Sequence, residues 1–221
     1  MEASHRKALV RAFYSERAAS YDNEIKKHPI LSSIREEIVR ECSLIREGSI
    51  LDLGCGSGLT AFAIRSKSPG VKIVGIDISD EMVRVAKKRA VLHGNSRLIF
   101  LVGDMERIPF KDSTFDLVVC INVIRYLDGL EDAFSDIHRV LKEKGGLILV
   151  DGDRNSREIN DQVVREEILK KHPLEREFVR CDGWSMLFGQ NEIEDGLAYT
   201  GFRKVRVESR RMYLIARAMK G

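Results

Sequence analysis

Five short apolar runs, separated by stretches of helical period, dominate the middle of the chain. They are Ser49–Leu53, Val71–Ile76, Leu98–Val102, Leu117–Ile121 and Leu147–Val150. Nearly unbroken apolar runs of this length suit strands covered on both faces of a parallel sheet. Ser79 is the expected N-cap of one intervening helix, with Asp80 and Glu81 in its first turn. Met82, Ala86 and Ala90 recur at every fourth position there, and Lys87, Lys88 and Arg89 fall near its end. Ala133, Ile137 and Leu141 predict a second helix, ending at Gly145-Gly146. Strands alternating with helices build right-handed βαβ units, hence a doubly wound open α/β sheet.

The flanks read differently. In the first 45 residues, Val10, Tyr14 and Ala18 are spaced by four and Tyr21 follows, which predicts a helical cap. Tyr14 and Tyr21, seven apart, are expected on one helical face, with Tyr14 as core packing. Residues 46–153 hold the alternating core. Residues 154–189 form an insertion whose Ile159, Val163, Val164 and Ile168 make an amphipathic face. Residues 190–221 read as a final helix (Asn191–Tyr199) and two strands, Phe202–Glu208 and Met212–Ala218, joined as a hairpin. At 221 residues, the whole suits a single domain.

Composition narrows the function. Lys and Arg number 37 against 34 Asp and Glu, a net charge of +3 that drives no nucleic-acid or membrane-surface binding. No apolar run approaches the roughly 18 residues a membrane span needs, and the N-terminus has no signal-like apolar stretch. Cys42, Cys55, Cys120 and Cys181 lie far apart, which argues against a zinc site and for reduced thiols in a cytoplasm.

The most informative stretch is Ile50-Leu51-Asp52-Leu53-Gly54-Cys55-Gly56-Ser57-Gly58, a strand running into a glycine turn that opens a helix. Glycines there admit positive φ and let a ligand approach the backbone. A dinucleotide fingerprint requires G-x-G-x-x-G, and its third glycine is replaced by Leu59. A plain βα turn is the bland alternative. The context favours a ligand site. Asp77 ends the second strand nineteen residues after Gly58, where a carboxylate can accept both hydroxyls of an adenosine ribose. Asp104-Met105 follow the third strand.

On these pieces the chain resembles the class I S-adenosylmethionine-dependent methyltransferases, particularly the small-molecule branch of quinone- and sterol-methylating enzymes. The matching stretches are ILDLGCGSG (50–58), GIDISDEMVRVAKKRA (75–90), LVGDMERIPFKDSTFDLVVC (101–120) and HRVLKEKGGLILVD (138–151). The resemblance implies a Rossmann-like seven-stranded sheet with its last strand antiparallel. It also implies S-adenosyl-L-methionine as cofactor. Gly54, Cys55 and Gly56 would bring backbone to the methionine and ribose portion, and Asp52 would orient the turn and attract the methionine ammonium. Asp77 would bind the ribose, Ile78 pack on the adenine, Asp104 accept its amino group, and Met105 donate a backbone N–H. Asn122 would pass near the methyl group. Tyr21, in Ser20-Tyr21-Asp22, resembles the family's Tyr-Asp step.

Methyl transfer from a sulfonium needs alignment more than acid–base machinery, and no triad is found. Ile121-Asn122-Val123-Ile124 lacks the Pro-Pro pair of the family's exocyclic-amine enzymes. Tyr21 and His172 are the candidates for a catalytic role. Residues 1–45 carry eight cations and seven acids, and residues 154–189 carry seven of each. The basic excess in 203–220 alternates with valines and reads as an edge device. The expected acceptor is therefore a small, partly apolar molecule, covered by the N-terminal helices and by the insertion with Trp184, Leu187 and Phe188.

Overall fold

A computed structural model describes residues 3–27, 29–161 and 187–221. The expected alternation is present. The parallel strands are β1 (Gly48–Leu53), β2 (Val71–Asp77), β3 (Leu98–Val102), β4 (Phe115–Ile121) and β5 (Leu141–Gly152). They are followed by β6 (Phe202–Arg210) and β7 (Tyr213–Lys220). The seven strands lie in the order β3-β2-β1-β4-β5-β7-β6. β7 runs antiparallel between β5 and β6, which completes the anticipated hairpin.

Side chains alternate across the strands and split the core in two. On one side Ile50, Ile73, Val119 and Val150 meet α3 (Pro29–Cys42), α4 (Leu59–Lys67) and α5 (Asp80–Leu92). On the other, Leu51, Val74, Val118 and Leu149 meet α6 (Glu131–Val140) and the helix Gln190–Tyr199. Ser79 caps α5 as expected, accepting the Met82 N–H at 3.2 Å.

Two expectations need correction. The second periodic helix ends at Val140, five residues before Gly145. Leu141 is fully buried but already pairs with Phe115 as the first residue of β5. The register then jumps, Leu117 opposing Gly146, with Lys144 at φ +63° in the bulge between. A buried leucine at the end of a helical stripe and one at the start of a strand are the same to a periodicity count.

The N-terminal segment is helical, but α1 (Ala3–Arg17) stops before α2 (Tyr21–Lys26) begins. Tyr14 and Tyr21 therefore sit on different helices. Their rings still meet edge to face, with centroids 5.8 Å apart. No helix among the described residues is long and apolar enough to cross a membrane. Of the insertion's amphipathic face, Val163, Val164 and Ile168 lie outside the described residues, as do His172 and Trp184.

Candidate functional site

The carboxyl ends of β1, β2, β3 and β4 converge on one cleft, about 770 Å³ of empty space including its open mouth. The glycine turn after β1 forms its floor. Gly54 and Gly56 have φ of +66° and +52°, which an L side chain would hold only under strain. A Cβ on Gly54 would lie 2.1 Å from a Val123 methyl, so β1 and the end of β4 touch there. A Cβ on Gly56 would instead make only ordinary van der Waals contact, 3.9 Å from the Tyr21 ring and 4.0 Å from Met82 Sδ, both on the cleft lining. Cys55 donates its N–H to the Ile76 carbonyl at 3.0 Å and pins the turn to β2.

Asp77 holds the same turn from the neighbouring strand. Its Oδ2 accepts Gly56 N–H and its Oδ1 accepts Ser79 N–H, both at 2.8 Å. Burial pushes its carboxyl above the usual range, and these two N–H groups oppose the shift. Each oxygen keeps a second lone pair for a ligand hydroxyl.

Asp52 lies deeper, only 3% exposed. Its Oδ2 is buried and has no hydrogen-bond partner. Burial raises its pKa to about 7, with Arg35 pulling down and Asp77 pushing up. An uncompensated buried carboxylate oxygen is costly unless a cation or donor completes it.

At the β3 end, Asp104 accepts Glu106 N–H at 3.0 Å through Oδ1 and the Lys7 ammonium at 2.6 Å through Oδ2. Lys7 also pairs with Glu106. It belongs to α1, which crosses the rim of the cleft. Arg6 pairs with Asp128 and Arg11 with Asp80, while Ser15 Oγ meets Ser79 Oγ at 2.9 Å.

At the β4 end, Asn122 takes a left-handed φ of +59°. Its Oδ1 accepts Arg125 Nη2 at 3.0 Å, and Arg125 is neutralised by the buried Asp151. Tyr126 and Tyr14 share a hydroxyl–hydroxyl hydrogen bond of 2.6 Å. Burial pushes the phenols of Tyr14, Tyr21 and Tyr126 above the ordinary tyrosine value, so all three stay protonated at neutral pH.

Of the expected site residues, Tyr21, Gly54, Gly56, Asp77, Ile78, Asp104, Met105 and Asn122 line this cleft. Asp52 is not among the lining residues; it is buried behind the turn. Cys55 does not line the cleft, and its Sγ faces the Gly75 backbone in the core. Tyr14 is corrected from core packing to cleft wall. Lys7, Val10, Tyr126 and Leu127 also line the cleft and were not anticipated. Nothing local marks them: Lys7 is brought in by Asp104, Tyr126 meets Tyr14 across the chain, and Leu127 follows from the path after β4. Among the described residues, no group of His, Cys, Asp and Glu could hold a metal ion.

Comparison with known proteins agrees with this geometry. Residues 46–200 match the model of the methyltransferase domain family. The chain is 31% identical over 159 residues to an uncharacterized methyltransferase, YcgJ, of Bacillus subtilis, covering 72% of this chain and 60% of that one. It is 30% identical over 136 residues to a demethylmenaquinone methyltransferase of Thermotoga maritima, covering 61% and 57%. The chain thus spans a little under two thirds of these relatives' lengths. A SAM-dependent methyltransferase from Aquifex aeolicus has the same fold, with a TM-score of 0.66 at 20% identity over 85% of this chain and 89% of that one. The glycine turn, the carboxylates that close it and the family match over most of the length lead to one conclusion: the chain belongs to the methyltransferase domain family.

Proposed function

We propose that the cleft binds S-adenosyl-L-methionine and that the chain transfers its methyl group to a small-molecule acceptor. The observation that carries this reading is the buried, partnerless Asp52 Oδ2 beneath the glycine turn. The ammonium of the methionine portion is the cation such an oxygen lacks. The other residues fit the same ligand. Asp77 has lone pairs for the ribose hydroxyls, and Gly56 leaves the backbone bare beside them. Ile78 and Met105 offer apolar faces to an adenine, and Asp104 offers an acceptor to its amino group.

When bound, the cofactor supplies a methyl group on a positively charged sulfur, so the protein's task is chiefly alignment and exclusion of water. Asn122, Tyr14, Tyr21 and Tyr126 wall the end of the cleft where alignment would be set. The protonated Tyr21 hydroxyl and the one proton the Tyr14–Tyr126 pair has to spare can donate hydrogen bonds and orient an acceptor; they do not remove its proton.

A small acceptor is favoured over nucleic acid. Part of the basic excess of β6 and β7 is already engaged. Arg210 pairs with Glu37 and Glu208, Arg217 pairs with Glu41, and Lys220 Nζ donates to the Leu141 carbonyl at 2.9 Å. Arg203, Lys204 and Arg206 are exposed on β6, which β5 and β7 separate from the strands that form the cleft, so they offer no counterion release to a polyanion held there.

The deciding experiment incubates the protein with labelled S-adenosylmethionine and fractionated metabolite extract. The expected result is label in a low-mass product. Calorimetry showing binding of neither S-adenosylmethionine nor S-adenosylhomocysteine overturns the reading.

A further inference from the structure

Asp22 follows Tyr21 in the first turn of α2. One of its carboxylate oxygens accepts the Ser57 hydroxyl, and the other accepts Arg89 Nη2. Arg89 comes from α5, and its Nη1 donates to the Ser57 carbonyl at 3.1 Å. Ser57 belongs to the glycine turn and is 1% exposed. Three hydrogen bonds thus close a ring that joins the N-terminal cap, the turn and α5. The ring is largely shielded from water, the Asp22 and Arg89 side chains being 15% and 27% exposed, so its charge-assisted bonds are weakly screened.

A helix of six residues has little stability of its own. Ile25 seats α2 in the core and the Tyr21 ring packs beside it, but apolar contacts are non-directional. Asp22 is the polar, directional anchor, and it lies next to the tyrosine whose ring stands over Gly56. We propose that Asp22 is a positioning residue for the cofactor: by holding Ser57 and Arg89 it locks α2 onto the glycine turn and keeps Tyr21 against the ligand. The cap is thereby part of the cofactor site. This inference rests on the reading of the cleft as an S-adenosylmethionine site.

The test compares Asp22→Ala, Arg89→Met and the double variant with the parent chain. Methionine keeps an apolar stem near Phe62, over whose ring the guanidinium lies at 5.3 Å. Three quantities are read: affinity for S-adenosylhomocysteine, the melting temperature without ligand, and tryptic cleavage within residues 17–27. Each single variant is expected to bind roughly tenfold more weakly, and the double variant no more weakly than the worse single one. Melting temperatures stay within about 2 °C of the parent. Without ligand, cleavage within residues 17–27 speeds up in the variants, and S-adenosylhomocysteine no longer slows it.

Parental affinity with ligand protection intact in Asp22→Ala overturns the inference. So does a loss of affinity that follows a matching fall in melting temperature and adds in the double variant, since Asp22 then only stabilises the fold. A parent chain that fails to bind S-adenosylhomocysteine overturns the cofactor reading instead. The ligand-free cleavage rates still read the latch in that case: faster cleavage in Asp22→Ala supports it and equal rates overturn it.

Discussion

Asp77 Oδ2 accepts the Gly56 N–H at 2.8 Å, so the carboxylate that ends β2 closes the turn that ends β1. The same group shapes the floor of the cleft and faces the space where a ribose would lie. Asp77→Ala should therefore weaken S-adenosylmethionine and S-adenosylhomocysteine alike, since both carry that ribose. Loss of charge-assisted hydrogen bonds sets the penalty at about 2–4 kcal/mol. Titration calorimetry with both ligands measures it, and equal affinities in variant and parent would remove Asp77 from the site.

Asp52 gives a pH signature. Its pKa of about 7 in the folded chain lies above the ordinary 3.8 because it is buried. The folded state thus holds this proton more tightly than the unfolded state. Stability without ligand should fall as pH rises from about 4 to about 7. Asp52→Asn should flatten that slope and stabilise the ligand-free protein at pH 8; Asp77, also shifted upward, leaves a residual slope of the same sign. Binding a ligand ammonium has the opposite preference and favours the ionised form. Calorimetry near pH 7 in buffers of different ionisation enthalpy should therefore record a proton released on binding, and Asp52→Asn should abolish most of it.

Gly54 and Gly56 should separate folding from binding. At Gly54 an alanine meets Val123 methyls at 2.1 and 2.9 Å, in addition to its positive φ. Strain and overpacking together should cost about 2–5 kcal/mol and lower the melting temperature sharply. At Gly56 the nearest atoms, from Tyr21 and Met82, are 3.9 and 4.0 Å away. The backbone strain there is about 1–2 kcal/mol. Gly56→Ala should accordingly stay folded yet bind S-adenosylhomocysteine poorly, because the added methyl projects into the cleft. Melting curves and titrations on the same two proteins check both halves.

The core of the fold was legible because both-face burial leaves a continuous apolar run, as at Val71–Ile76 and Leu98–Val102. The glycine turn was legible for a different reason: Gly54 and Gly56 are set by local φ, and Asp77 by its place at a strand end. Tyr14 and Lys7 were not. Tyr14 lies on a helical stripe, and the sequence does not say whether a stripe packs on a core or walls a cleft. Its role depends on Tyr126, 112 residues away. Lys7 depends likewise on Asp104, 97 residues away. The helix predicted to end at Gly145 failed at Leu141, where tertiary pairing with Phe115 overrides the periodicity.

The position of β7 has a consequence for how the protein is made. These eight residues, Tyr213–Lys220, are made after the other six strands, yet they lie between β5 and β6 and not at a border of the sheet. Until they leave the ribosome, β6 has no strand to join and β5 shows an open edge bearing Leu147, Ile148, Leu149 and Val150. A nascent chain stalled at that stage carries a sticky apolar border, ready to capture a neighbour on the same polysome.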